Sequence, residues 1–141
     1  MPMHNLRHMC ALVLALVLVA GCSASQDTTA AKEQVAHFRE LMAAQQFGQI
    51  YAEASDDLKK TTREQDLVNL LSAIDRKLGA VKTAADNGWK VDFNTAGTRI
   101  TLSFKTEYER GTAIETFVYR MREGRPQLAG YNINSTALIV N

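Results

Sequence analysis

The sequence is poor in the residues that hold metals, cofactors or disulfides. Its 141 residues include only two cysteines and three histidines. Residues 22–141 contain no Cys-x-x-Cys pair, no His-x-x-x-His pair, no Gly-x-Gly-x-x-Gly motif, no phosphate-binding loop and no Gly-x-Ser-x-Gly sequence. We therefore expect no metal, no organic cofactor and no Ser-His-Asp triad.

A strong charge of either sign is also missing. The chain has 16 basic and 15 acidic residues, and its formal net charge is +1. A protein that binds nucleic acid mainly through phosphates needs a clear basic excess, so we expect no nucleic-acid partner. The length favours one domain over two, and the 46% hydrophobic content excludes a fully disordered chain.

The apolar residues that are present cluster at the N-terminus. Arg7 lies in a short basic region, an apolar run follows over residues 9–20, and residues 23–27 are polar. The run is shorter than the about 20 residues that a membrane-spanning helix needs, and its length is typical of a secretory signal peptide. The N-terminus therefore predicts export.

Residues 18–22, Leu-Val-Ala-Gly-Cys, resemble the lipobox of bacterial lipoprotein signal peptides. The resemblance implies cleavage before Cys22 and transfer of a diacylglycerol to its sulfur. Ser23 lacks the acidic character that commonly retains lipoproteins in the inner membrane of enteric bacteria. The resemblance therefore implies a lipid anchor in the bacterial cell envelope, on the periplasmic face of the outer membrane.

Processing at this site would divide the chain into three parts. These are a signal peptide at residues 1–21, a lipidated cysteine with a tether at residues 22–28, and a single domain at residues 29–141. The domain would keep His37 as its only histidine and would contain no free thiol and no disulfide. We expect core packing alone to hold it together, which a chain of this size allows.

Composition changes near Gly79 from helix-forming to strand-forming residues. This segregation predicts an α+β domain, with N-terminal helices across one face of a curved antiparallel sheet. Apolar spacing predicts a helix over residues 29–46 and another that ends at Gly79, with a capping box within residues 61–65. Alternation predicts four strands, over residues 80–93 (interrupted at Asn87-Gly88), 98–108, 112–122 and 127–140.

This order of elements resembles the cystatin-like α+β cone, the fold of the nuclear transport factor two superfamily. Residues 117–120 and 128–135 resemble strand patterns of uncharacterised bacterial lipoprotein families with that fold. In the superfamily, a pocket often lies between the concave sheet and the first helices, and its enzymes place Asp, His or Tyr there. The resemblance therefore implies His37, Asp92 and Tyr108 as candidate pocket residues.

Each charged or titratable candidate also has a simpler interpretation. His37 fits a surface or structural role beside Phe38, and Asp56-Asp57 fits the start of a helix better than a cation site. Three arginines around a predicted hairpin suit either an acidic partner or, with nearby glutamates, a solvated rim. They are Arg120, Arg122 and Arg125.

Two classes of function remain open from the sequence. The first is a membrane-anchored, non-enzymatic module that binds a protein or a small envelope ligand, for example as an immunity lipoprotein. The alternative is a cofactor-free isomerase or dehydratase, with His37 or Asp92 as base and Tyr108 as donor. The two classes differ in whether these side chains converge on one cavity.

Overall fold

A computed structural model describes the backbone of residues 5–140 and the side chains of residues 23–140. The fold is α+β, as predicted, with one antiparallel sheet in the order β1-β2-β3-β4. The elements are α1 (Asn5–Ala43), α2 (Phe47–Glu53), α3 (Asp56–Thr61), α4 (Glu64–Leu78), β1 (Val81–Asn94), β2 (Gly97–Tyr108), β3 (Gly111–Arg122), β4 (Arg125–Asn134) and α5 (Thr136–Val140).

The first helix begins much earlier than the predicted boundary at Thr29. Residues 23–28, predicted as a tether, continue α1 without a break. Neither glycine nor proline occurs there, and the hydroxyl of Thr28 donates to the carbonyl of Ala24 one turn before it (2.8 Å). The side chains of the predicted signal peptide and of Cys22 lie outside the described residues.

The acidic pair at residues 56–57 lies in the first turn of α3, as predicted for a helix start. The hydroxyl of Ser55 caps this helix by accepting a hydrogen bond from the backbone N–H of Leu58 (3.4 Å). The predicted capping box for α4 is wrong, because Arg63 is the N-cap and makes no side-chain cap hydrogen bond. The hydroxyl of Thr61 instead donates to carbonyls within α3.

The two edge strands, β1 and β4, show one confirmed prediction and one error. The register of β1 with β2 shifts between Asp86 and Gly88, where an interruption was predicted. The last strand does not reach Val140, because the chain leaves the sheet at Ser135. The buried hydroxyl of Ser135 donates to the carbonyl of Thr112 (2.8 Å), and α5 follows.

The core lies between the helices and one face of the sheet. α1 packs against β2, β3 and β4. Alternate residues of β2 are buried as predicted, and α4 buries one face and ends at Gly79, whose φ of 75° suits glycine. β1 stays exposed along nearly all its length. The helices therefore cover three strands well and leave the fourth open.

Candidate functional site

A buried carboxylate lies at the centre of the covered sheet. Glu115 is on β3, on the face that also carries Ala113, Phe117 and Tyr119, and only 1% of its surface is exposed. Burial of a charge is costly unless hydrogen bonds and an opposite charge compensate for it. The surroundings of Glu115 must therefore supply both.

Four side chains, from β2, β4 and α1, bind this carboxylate. Oε1 accepts hydrogen bonds from the hydroxyls of Tyr108 (2.7 Å) and Tyr131 (2.8 Å). Oε2 accepts one from the hydroxyl of Thr106 (2.6 Å) and lies 2.9 Å from Nη2 of Arg39. A carboxylate has about four lone-pair directions, so this set, the Glu115 cluster, satisfies it.

Aromatic rings surround the cation of the cluster. The guanidinium carbon of Arg39 lies 5.6 Å from the ring centre of Phe104 and 5.7 Å from that of Phe117. Phe38, the residue before Arg39 on α1, packs edge-on against Phe117 at 5.1 Å. The ion pair therefore lies in an apolar environment, which strengthens its attraction.

The two tyrosines of the cluster are held in their neutral form. Burial raises the pKa of Tyr108 above its ordinary value, and the negative charge of Glu115 raises it further. Burial, and then the same carboxylate, also raises the pKa of Tyr131. Both hydroxyls therefore keep the protons that they donate to Glu115.

A cleft of about 470 Å³ lies beside the cluster, between the C-terminal part of α1, the end of α4 and the start of β1. Arg39, Tyr108 and Glu115 form its polar base. Its wall is mostly apolar, and Glu40 and Asp75 add charge. The apolar wall residues include Ala36, Phe38, Met42, Ala43 and Val81.

His37 does not line this cleft. It faces a separate pocket of about 30 Å³, about the size of one water molecule. Its side chain is 41% exposed, and its Nε2 lies 2.8 Å from Oε2 of Glu53. A hydrogen bond from Gln49, and then His37 itself, lowers the pKa of Glu53 against the opposing effect of burial. The arrangement is a surface polar pair.

Asp92 and Tyr108 lie at opposite ends of the β1–β2 hairpin. Asp92 pairs with Arg99, whereas Tyr108 pairs with Val81, so about 30 Å of strand separates them. The carboxylate of Asp92 is 2.8 Å from Nζ of Lys90. Of the three predicted pocket residues, Tyr108 alone lines the large cleft, and the structure does not bring the three together.

The arginine hairpin includes one structural ion pair. Nε of Arg120 lies 2.9 Å from Oδ2 of Asp57 on α3, and this hydrogen bond lowers the pKa of Asp57. Arg122 and Arg125 are exposed. Arg120 therefore links β3 to α3.

The Glu115 cluster is not among the sites predicted from the sequence, although one signal pointed to it. Glu115 is the only charged residue on an alternating stripe of Ala113, Phe117 and Tyr119. An acid on an otherwise apolar strand face indicates a buried, paired carboxylate. Its partner Arg39 lies on a distant helix, and no local pattern connects the two.

Within residues 23–140, no three His, Cys, Asp or Glu side chains form a group that could hold a metal ion. The same part of the chain contains no helix with the length and apolar character needed to cross a membrane.

The arrangement of helices on a four-stranded antiparallel sheet is compatible with a cystatin-like or nuclear transport factor two-like domain. Comparison with protein-family models and with curated proteins finds no match.

Proposed function

We propose that this chain is a lipid-anchored binding module of the bacterial envelope, which takes a small and largely apolar ligand in the cleft beside Glu115. The cleft carries the proposal. Its volume of about 470 Å³ falls in the range of ligand-binding pockets, and a few polar groups lie at the base of a mostly apolar wall. Such a surface suits a ligand with an apolar body.

The state of the cluster favours binding over proton transfer. A general base needs a free lone pair directed at its substrate, but four donors already occupy the carboxylate of Glu115. Tyr108 directs its proton to that carboxylate. These groups support the shape of the cleft and position Arg39, whose remaining N–H donors are available to an acceptor on the ligand.

The proposed anchor is the diacylglycerol on Cys22. Lipid attachment would hold the domain at the periplasmic face of the outer membrane, where apolar envelope components are concentrated. It would raise the effective concentration of such ligands at the cleft. The support for this part of the proposal is the lipobox-like sequence at residues 18–22.

Cleft binding is tested with two neighbouring alanines. Ala43 lines the cleft and Ala44 does not, although both are exposed. We expect Ala43→Trp to fill the cleft and Ala44→Trp to leave it open. Full-length protein is purified from envelopes in copolymer-bounded membrane discs, and small molecules extracted from each variant are compared by mass spectrometry.

The expected result is an apolar compound that is at least tenfold more abundant with the wild type and Ala44→Trp than with Ala43→Trp. Equal recovery from all three proteins would exclude the cleft as the binding site. Circular dichroism confirms that each variant is folded. Recovery of a protein in place of a small molecule would support a different kind of partner and contradict the proposed ligand.

Lipid attachment is tested with the two cysteines. We expect Cys22→Ala to abolish incorporation of labelled palmitate and the mass expected for cleavage before residue 22. Cys10→Ala is the matched control, because it removes a thiol that lies within the predicted signal peptide, and it should retain full labelling. Labelling of Cys22→Ala at the wild-type level would show that the anchor assignment is wrong.

A further inference from the structure

The outer side of β1 is open to another strand. Among residues 5–140, β1 has β2 as its only neighbour in the sheet. Every side chain from Val81 to Lys90 is exposed. The backbone groups of an edge strand that point away from the sheet have no strand partner, and they can form hydrogen bonds with a second strand.

This edge carries two large aromatic side chains in solvent. Trp89 is 65% exposed and Phe93 is 66% exposed, with the partly buried Val91 between them. The three alternate along β1, so they share one face of the sheet, the face on which the helices lie. A continuous apolar strip of this kind is typical of an interaction surface.

Two copies of this strip, paired antiparallel, would have complementary side chains. Residues 89–93 read Trp-Lys-Val-Asp-Phe. We propose that β1 pairs antiparallel with β1 of a second copy of this chain, about a two-fold axis at Val91. Trp89 then lies opposite Phe93 of the second copy, and Lys90 lies opposite Asp92 of the second copy. Both contacts occur twice, as two-fold symmetry requires.

The register suits both the charges and the backbone. Opposite charges directly across a strand pair stabilise it, as do aromatic pairs. On an edge strand the outward-pointing backbone groups belong to alternate residues. Pairing about Val91 places residues 89, 91 and 93 opposite one another, and residues 90 and 92 likewise. The residues whose backbone N–H and C=O groups point outward therefore lie opposite the same residues of the second copy, and these groups can form hydrogen bonds across the pair.

Another register that also pairs Lys90 with an acid is less favourable. Pairing about Gly88 places Lys90 opposite Asp86, but it also places Trp89 opposite Asn87. That register crosses the shift between Asp86 and Gly88, where the strand is irregular. Pairing about Val91 begins beyond this irregularity, in the segment whose register with β2 is uninterrupted.

The space beside Trp89 accommodates the incoming ring. A cleft of about 360 Å³ lies between Trp89 and α1, where its wall includes Ala24, Thr28 and Lys32. Nζ of Lys32 on α1 lies 2.7 Å from Oδ2 of Asp86 on β1. Phe93 of the second copy, opposite Trp89, would enter this cleft and cover part of the indole.

Charge reversal tests the pairing without reference to the ligand cleft or the anchor. We expect Lys90→Asp, and separately Asp92→Lys, to raise the Kd of the dimer at least tenfold, because each places like charges opposite one another at both contacts. In an equimolar mixture of the two variants, the two carboxylates that one chain carries at positions 90 and 92 face the two ammonium groups of the other chain. We expect heterodimers at close to wild-type affinity.

The mixture separates pairing from an effect on the fold. Each variant alone loses the ion pair between residues 90 and 92 of one strand (2.8 Å in the wild type), and mixing cannot restore it. Full-length proteins are compared by sedimentation velocity at a large excess of detergent micelles. Wild-type dimerisation of either variant alone, or a mixture that dimerises no better than its components, would overturn the proposal.

A cysteine at the symmetry axis tests the register directly. Opposite residues in an antiparallel pair have Cα atoms about 4.5–5.5 Å apart, within the range that a disulfide spans. In a full-length Cys10→Ser, Cys22→Ser background, we expect Val91→Cys to form a disulfide-linked dimer. Ala85→Cys is the control, because two copies of residue 85 lie far apart in this register.

Equal cross-linking at both positions would indicate random collision and would contradict the register. Exclusive linkage of Val91→Cys to another envelope protein would assign the strand to that partner and overturn self-pairing. Circular dichroism verifies that both cysteine variants fold. The interface is small by the standard of stable dimers, so we expect the wild-type dimer to dissociate on dilution.

Discussion

β3 and β1, separated only by β2, bury their side chains in opposite ways. The most deeply buried carboxylate of the described residues lies on β3, with Glu115 1% exposed, whereas the only tryptophan lies on β1 and is 65% exposed. Coverage by α1 explains the difference, because this helix packs on β2, β3 and β4. Position under a helix, rather than the hydrophobicity of the residue, determines which side chains are buried in this sheet.

Glu115 and Trp89 also differ in what their environments must supply. The carboxylate of Glu115 can be buried because four donors replace the hydrogen bonds that it would make with water. The indole of Trp89 needs no polar compensation, but its exposure leaves apolar surface that a partner can bury. The buried acid is therefore expected to control folding, and the exposed aromatic residue to control association.

Removal of the buried acid should have the largest effect. We expect Glu115→Ala to lower the free energy of unfolding by about 3–5 kcal/mol, because Arg39 and three hydroxyls lose their acceptor. Glu107→Ala, on the exposed face of β2, should change it by less than about 0.5 kcal/mol. Urea denaturation measures both, and equal losses would contradict the structural role of the cluster.

Removal of a single donor should have a smaller effect. We expect Tyr108→Phe to cost about 1.5–3 kcal/mol, since its hydroxyl binds a charged acceptor. Tyr51→Phe is the control, because the hydroxyl of Tyr51 donates to the neutral carbonyl of Thr62 (3.1 Å) and should contribute about 1 kcal/mol. A greater loss for Tyr51→Phe would mean that the charge of Glu115 adds nothing to this hydrogen bond.

Alkaline pH should weaken the same cluster. Because the folded-state pKa of Tyr108 is raised, the unfolded chain loses this proton first as pH passes 10. Stability is therefore fully present below pH 10 and falls above it, by up to about 1.4 kcal/mol per pH unit for this tyrosine. Urea midpoints between pH 9 and 11 measure the slope, and an unchanged slope in Tyr108→Phe would contradict the assignment.

Changes on the exposed strand should affect stability least. We expect Phe93→Ser to cost less than about 1 kcal/mol in unfolding free energy, although it removes a whole aromatic ring. The same variant should dimerise more weakly than the wild type. Urea denaturation of dilute protein measures the first effect. A loss close to that of Glu115→Ala would show that β1 and β3 do not differ as described.

Local patterns predicted the sheet well, because strand burial here follows simple alternation. Ile100, Leu102, Phe104 and Tyr108 are buried on one face, and Gly79 ends α4. Other features depend on contacts between distant residues. The last strand stops where Ser135 binds Thr112, and that hydrogen bond has no signature in the local sequence.

The candidate site was less predictable for the same reason. Tyr108, which the resemblance implied as a pocket residue, lines the cleft beside Glu115. The same resemblance grouped it with Asp92, which strand register places at the far end of the hairpin. Arg39 and Tyr131 reach Glu115 only after α1 has packed on the sheet and β4 has paired with β3.

Because α1 continues without a break from residue 23 into the domain, the connection between the proposed anchor and the domain is stiff. Between Ser23 and Phe38 the helix rises about 22 Å, at 1.5 Å per residue. A flexible linker of that length would let the domain sample many heights and orientations, whereas a helix is a stiff spacer. A lipid on Cys22 would therefore fix the distance of the cleft from the membrane surface, and length changes in α1 would shift it in steps of one helical residue.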